Sequence, residues 1–334
     1  MSGRSRPSRG YRARMPLYPE TEPYDHGLLD VGDGNRVYWE TCGNPRGKAA
    51  LVLHGGPGSG SSPYYRRLFD PAAYRIVLLD QRGSGRSVPH ASAYDTDMSV
   101  NTTAYLLADL ELLRRHLGIE RWLVWGVSFG SVLGLRYAQT HPGAVSEVVV
   151  TGVATGSNAE VTLLTRGVGR FFPEAFERFK AALPAGERDG NLAAACNRLL
   201  ESPDPEVRAR AARTWTDWET ATVPAPPRSI PRFEDPEFRY GFARTVTHYW
   251  GNDHFLGEGN DEGVVLRDAP VLKDVPGTLV QGSLDFGNLL GISWRLHHAW
   301  PGSELVIVDD VGHSVGDPGM AEALVAATDR YARR

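Results

Sequence analysis

Residues 126–130 read Gly-Val-Ser-Phe-Gly. The apolar run Trp122-Leu123-Val124-Trp125 precedes them, and a helical pattern through Val132, Leu133, Leu135, Tyr137 and Ala138 follows. A serine between such glycines, at the step from strand to helix, is forced out of the sheet edge on a sharp turn, with the first helical N–H groups aimed at the same spot. That placement suits a nucleophile whose intermediate carries negative charge. A serine hydroxyl is a poor nucleophile alone; it needs a base, and a carboxylate to orient that base. Where a Gly-x-Ser-x-Gly turn is used, the chain order is Ser, acid, His, with acid and base on loops after later strands.

Of ten histidines, only His313 follows a late strand-like run, in Asp309-Asp310-Val311-Gly312-His313-Ser314. His297 and His298 fall in a helical pattern, and His54 reads as structural because it precedes a glycine loop. Asp285 follows the run 278–281 through Gly282-Ser283-Leu284; Asp309 and Asp310 compete with it but stand too close to His313 in sequence. The catalytic assignment is Ser128, Asp285 and His313. The oxyanion hole is expected from the backbone N–H of Phe129 and one from His54-Gly55-Gly56-Pro57-Gly58, Gly56 being the candidate. Gly55, in the same loop, lets the backbone approach a substrate. A tight turn is the bland alternative; a phosphate cradle is disfavoured because no Gly-Lys-Ser/Thr follows. The loop Asp80-Gln81-Arg82-Gly83-Ser84-Gly85-Arg86-Ser87 reads as rigid scaffold beside the serine. Neither metal-ligand spacing nor an early dinucleotide fingerprint is present, so no metal or cofactor is expected.

The elements that must hold these residues alternate. Strand-like runs at 37–39, 50–53, 75–80, 122–125 and 145–153 interleave with helical stretches at 101–117, capped by Asn101 or Thr102, and at 129–139. A second region adds a strand at 278–281, a helix near 290–299, a strand at 304–308 and a last helix near 318–331. The implied class is α/β, a mostly parallel sheet with helices on both faces. Residues 157–264 break the rhythm and read as an inserted helical cap, which divides the core into 18–156 and 265–334. Residues 1–17, with five arginines among Ser, Gly and Pro, read as a disordered basic tail without the apolar segment of a secretory signal.

A net charge of −4 implies neither a nucleic-acid nor an anionic-membrane partner. A 41% hydrophobic content leaves ample material for a large core, and no stretch is long and apolar enough to span a membrane. The two cysteines, Cys42 and Cys196, are far apart and outside any ligand cluster, which fits a reducing cytoplasm.

Taken together, the chain resembles the proline iminopeptidases, serine peptidases of the α/β-hydrolase fold. The resemblance is carried by His54-Gly55-Gly56-Pro57-Gly58, Phe69-Asp70-Pro71, the loop 80–87, Asn101-Thr102-Thr103 and Tyr137-Ala138-Gln139-Thr140-His141-Pro142. It continues through Arg170-Phe171-Phe172-Pro173-Glu174, Trp215-x-x-Trp218-Glu219, Ala243-Arg244 with His248-Tyr249, Ala299-Trp300-Pro301 and Gly312-His313-Ser314. It implies removal of an N-terminal proline by Ser128, His313 and Asp285, acting on a small molecule or short peptide. It also implies that cap carboxylates grip the substrate's free amine, with Glu219 matching one of them. A surface residue paired to Arg213 is the alternative for Glu219. Trp218 is expected at the pocket wall or in the cap core.

Departures accompany the matches. After Ala243-Arg244 the family pattern continues Ile-Glu-Asn-His-Tyr, whereas here Thr245-Val246-Thr247-His248-Tyr249 puts Val246 where the second amine-binding carboxylate would fall. Thr162-Leu163-Leu164 replaces an aromatic run, Phe129 stands for the usual Trp, and Phe286-Gly287-Asn288 lacks a Cys-Pro-like sequence. The expectation is therefore a serine hydrolase with retained chemistry and weakened or altered prolyl specificity. A specialised amide or ester hydrolase or acyltransferase acting on a modified amino acid is the alternative, and a non-catalytic binding module the third reading.

Overall fold

The computed structural model describes residues 17–225, 228–261 and 263–333. The expected basic tail thus lies outside the described residues, except that Leu17, assigned to it, packs with Tyr18 against the core.

Among the described residues, eight strands form one sheet: β1 Asp25–Gly32, β2 Asn35–Gly43, β3 Lys48–Leu53, β4 Tyr74–Leu79, β5 Trp122–Val127, β6 Val145–Thr151, β7 Gly277–Gly282 and β8 Ser303–Val308. Their order is β1-β2-β4-β3-β5-β6-β7-β8. β2 runs antiparallel to both neighbours, and β4, β3, β5, β6, β7 and β8 pair in parallel. β5 and β7 are buried along their whole length, as strands covered on both faces must be. β1 escapes a search for apolar runs because Val31 alone of its residues is buried. Its signal lies in the turn: Asp33-Gly34, both at positive φ (53° and 73°), joins Gly32 to Asn35 in a two-residue hairpin.

The helices are α1 Thr103–His116, α2 Phe129–Thr140, α3 Asn158–Thr165, α4 Pro173–Ala181, α5 Leu192–Leu200, α6 Pro205–Thr222, α7 Pro236–Trp250, α8 Val264–Arg267, α9 Leu290–Ala299 and α10 Pro318–Ala332. Alternation along β5 sorts them by face. Trp122 and Val124 join a cluster with Leu106 of α1, Val132 of α2, Val264 of α8 and Leu296 of α9. Leu123 and Trp125 point to the opposite side, where Met320 and Leu324 of α10 pack. Thr102 occupies the N-cap position of α1 without a side-chain cap bond. Asn101 is used elsewhere: its Nδ2 donates to Arg82 O and its Oδ1 accepts from Tyr249 Oη.

Between β6 and β7 the chain leaves the sheet and forms α3 to α7. A third apolar cluster holds this cap together, built on Phe179, Leu192, Trp215, Trp218, Phe242 and Val246. The cap is pinned to the core by Arg244 of α7. Its guanidinium donates to the carbonyls of Ala91, Ala93, Tyr94 and Thr96 and pairs with Glu201 at 2.7 Å, and its side chain is almost fully buried. Removing it leaves several carbonyls without a donor. Arg244→Ala is expected to cost about 2–3 kcal/mol and to speed proteolytic cutting within the cap, read by urea unfolding and limited proteolysis.

Candidate active site

The turn after β5 is set by close approach. A Cβ on Gly126 would lie 2.2 Å from Gly130 O, and one on Gly130 would lie 2.2 Å from Leu53 O on β3. Neither position tolerates a side chain, so α2 is drawn down onto the sheet and Ser128 is left at φ 56°, ψ −123°. A non-glycine residue held there carries roughly 1–3 kcal/mol of strain. It is fastened by Ser128 N donating to Thr151 O (3.0 Å) and by Ser131 Oγ donating to Ser128 O (2.6 Å). Ser131 Oγ in turn accepts from Ala154 N at 2.9 Å.

The ends of β7 and β8 bring in the other two groups. His313 Nδ1 donates to Asp285 Oδ2 at 2.8 Å. The carboxylate is fully buried, and two further donors reach it: Asn288 N to Oδ1 (2.8 Å) and Gln281 Nε2 to Oδ2 (3.1 Å). Burial opposes a charge on His313, but the Asp285 charge and hydrogen bond, with help from Glu219, outweigh it and hold its pKa above the ordinary histidine value. Gly152, next to the Thr151 that holds Ser128, sits so close to His313 that a Cβ there would meet Cε1 at 2.8 Å. No hydrogen bond joins Ser128 Oγ to His313; bonds of this kind commonly close only in the substrate complex. Asp309 and Asp310 are exposed. His54 is fully buried, accepting from Gln81 N (3.0 Å) and bonding Gly55 O, as befits a structural residue.

Gly55 packs against the serine itself, a Cβ there meeting Ser128 Cβ at 2.9 Å. Phe129 opens α2, so its N–H has no intrahelical acceptor. Gly56 and Ser128 line both a cavity of about 420 Å³ and a small pocket of about 30 Å³, the latter also lined by Phe129, Leu164 and Trp250. The 80–87 loop stands behind this floor. Asp80 accepts from Ser61 and Arg86, while Arg82 makes a bidentate pair with Asp109, both fully buried.

Ser128, His313, Gly55, Gly56 and Glu219 share the larger cavity, together with Tyr65, Phe242, Trp250, Arg232 and Asn288. Glu219 Oε1 accepts from Trp215 Nε1 at 3.2 Å. Burial pushes its pKa up to about 7 against the opposing pull of His313, that hydrogen bond and Arg232. Val246 is not in the lining, and of its two expected places Trp218 takes the cap core. Trp218 stacks on Phe179 (5.3 Å) and donates to Leu164 O, inside the cap core. Val246 is fully buried in the same cluster, one turn from Phe242 and from Trp250 on α7, both of which do reach the cavity. Gln281, Asn288 and Arg232 were not legible as site residues. Gln281 lies inside a strand pattern, Asn288 three residues past the acid looks like a turn residue, and Arg232 sits in a single 3-10 turn, Pro231–Glu234, with no periodic pattern.

A family model described as alpha/beta hydrolase fold matches residues 49–319. The chain is 79% identical to a probable proline iminopeptidase of Streptomyces coelicolor, over 96% of this chain and 98% of that one. The chain belongs to the proline iminopeptidase family. It is 45% identical to the proline iminopeptidase of Xylella fastidiosa strain Temecula1 over 94% of this chain and 99% of that one. For the Arabidopsis thaliana proline iminopeptidase the figures are 40%, 94% and 81%. Among solved structures, a putative lipase of Acinetobacter baumannii superposes with a TM-score of 0.60 at 14% identity, covering 94% of this chain and 90% of that one. A proline iminopeptidase-related protein of Thermus thermophilus does so at 0.56 and 19%, covering 92% and 96%; at such identities these two speak for the fold. The chain is thus a serine hydrolase of this family. Among the described residues, no helix is long and apolar enough to cross a membrane.

With Ser128 as nucleophile, Ser128→Ala is expected to abolish labelling by a fluorophosphonate probe. Asp285→Asn should still fold yet turn over a p-nitrophenyl ester about 10⁴-fold more slowly, because the orienting charge is lost; steady-state kinetics beside a circular-dichroism spectrum checks this.

Proposed function

We propose that the protein removes N-terminal proline, or a closely related amino-acyl group, from short peptides through an acyl-enzyme on Ser128. The observation that carries this reading is the Glu219 carboxylate, which lines the cavity that also holds Ser128 and His313. A carboxylate so placed pairs with the free secondary amine of an N-terminal proline and leaves the scissile carbonyl to the nucleophile. His313 takes the Ser128 proton as Oγ attacks. The oxyanion is met by the N–H groups of Phe129 and Gly56, and His313 then protonates the departing amine. Water, activated by the same imidazole, releases proline. The names carried by the relatives support the choice of acyl group.

Among the described residues that line the larger cavity, Glu219 is the one carboxylate to grip the amine; Glu160, in the small pocket, is taken up by Thr155, Gly156 and Ser157. Val246 supplies no charge, and its enclosure in the cap core puts it out of contact with the cavity. Weaker binding of the ammonium follows, so proline-β-naphthylamide is expected to be hydrolysed with a high KM. Saturation at ordinary low substrate levels would contradict the single-carboxylate grip, and absence of any turnover would overturn the prolyl assignment. Glu219→Gln should lower kcat/KM for prolyl substrates about thirtyfold, with little effect on an ester that carries no amine.

The pH dependence has a definite sign. A raised histidine pKa keeps His313 protonated, and so unable to act as base, to higher pH; a raised carboxylate pKa keeps Glu219 neutral, and so unable to hold an ammonium, to higher pH. The two groups interact and titrate as a pair. Prolyl kcat/KM is therefore expected to fall steeply below about pH 7, and Glu219→Gln to leave a shallower limb governed by His313 alone. A kcat/KM–pH profile of both proteins reads this directly.

A further inference from the structure

Arg232 is a cavity-lining residue that the chemistry above does not use. It lies in the connection from α6 to α7. Its Nη1 donates to Ser59 O at 3.4 Å and its Nη2 to Ser59 Oγ at 3.3 Å, with the guanidinium carbon 4.9 Å from the centroid of the Phe238 ring. Ser59 is three residues beyond Gly56, so the guanidinium is tethered to the loop that offers the second oxyanion donor. Among the described residues no carboxylate forms an ion pair with Arg232, Glu219 included. Both bonds to Ser59 are long, and the remaining N–H groups of the fork are uncommitted to it. Arg232 is exposed, so those N–H groups are open to solvent or to a ligand.

One cavity thus presents a carboxylate on α6 and a separate, exposed guanidinium beside the oxyanion loop, with the nucleophile in the same lining. A dipeptide with a free N-terminus and a free C-terminus carries the complementary pair of charges, its ammonium on the acyl side and its carboxylate on the leaving side. We propose that Arg232 forms the subsite for the α-carboxylate of the leaving residue, which makes free imino-acyl dipeptides the favoured substrate class. This assignment rests on the prolyl-hydrolase reading. In longer peptides the carboxylate is carried away from the guanidinium, and in amides or naphthylamides it is missing.

The test compares Pro-Gly with Pro-Gly-NH₂, which differ only in the terminal charge, as a ratio of kcat/KM within one protein preparation so that the folded fraction cancels. The wild-type protein should favour Pro-Gly about tenfold, the value for a charge-assisted contact in a partly open site, expressed chiefly in KM. Arg232→Gln should bring the ratio to parity. Arg232→Lys, which keeps the charge but loses the fork, should give an intermediate ratio. A wild-type ratio near parity overturns the subsite, and a high ratio that persists in Arg232→Gln overturns its assignment to this residue. If neither peptide is cleaved while Ser128 still labels with a fluorophosphonate, the prolyl reading fails and this assignment falls with it.

Discussion

The site depends on one steric constraint, the contact of α2 with the ends of β3 and β5. Gly126, Gly130 and Gly55 each lie where a single methyl would strike backbone or the serine. Their bareness lets the helix N-terminus come down beside Ser128 and lets the 54–58 loop close over it. Without that approach the N–H groups of Phe129 and Gly56 would sit too far from Ser128 to serve as the proposed oxyanion donors, since such donors act only at hydrogen-bond distance. The Ser128 backbone strain is the local cost of this arrangement, and the bonds to Thr151 and Ser131 hold it in place.

On that floor the charges are graded by what holds them. Asp285 receives donors from His313, Asn288 and Gln281 inside a dry setting. Gln281 also accepts from Val153 N, and Asn288 Nδ2 reaches Gly152 O, so the acid loop is bonded back to the end of β6. Glu219 has one neutral donor, Trp215, and is held near the point of neutrality. Asp285 is thus held by three donors of the protein itself, whereas Glu219 is held by the Trp215 indole.

Much of this was legible in the sequence because the core obeys local rules. The Gly-Val-Ser-Phe-Gly turn, the post-strand positions of Asp285 and His313, and the parallel strands follow from glycine sterics and from apolar runs buried on both faces. β1 was missed because its side chains are mostly exposed, although Asp33-Gly34 marked the hairpin. In the cap the same reasoning loses its grip. Trp218 adjoins Glu219 in sequence and Val246 lies one turn from Phe242 and Trp250, but helix phase turns Trp218 into the cap core, and Val246 is covered by its neighbours in the same core cluster. Arg232 had no periodic pattern to announce it. Which face of a cap helix meets the substrate is decided by tertiary packing, and a single sequence does not encode that locally.

The place where the cap departs from the sheet has an evolutionary meaning. The chain leaves after β6, at the residues that brace the serine and touch His313, and rejoins before β7, whose end carries the acid. The segment between the two junctions folds around its own apolar cluster. Such an insertion is modular: its helices can be exchanged or remodelled for new clientele while the reactive groups underneath keep their positions, so lineages sharing one engine can diversify in diet.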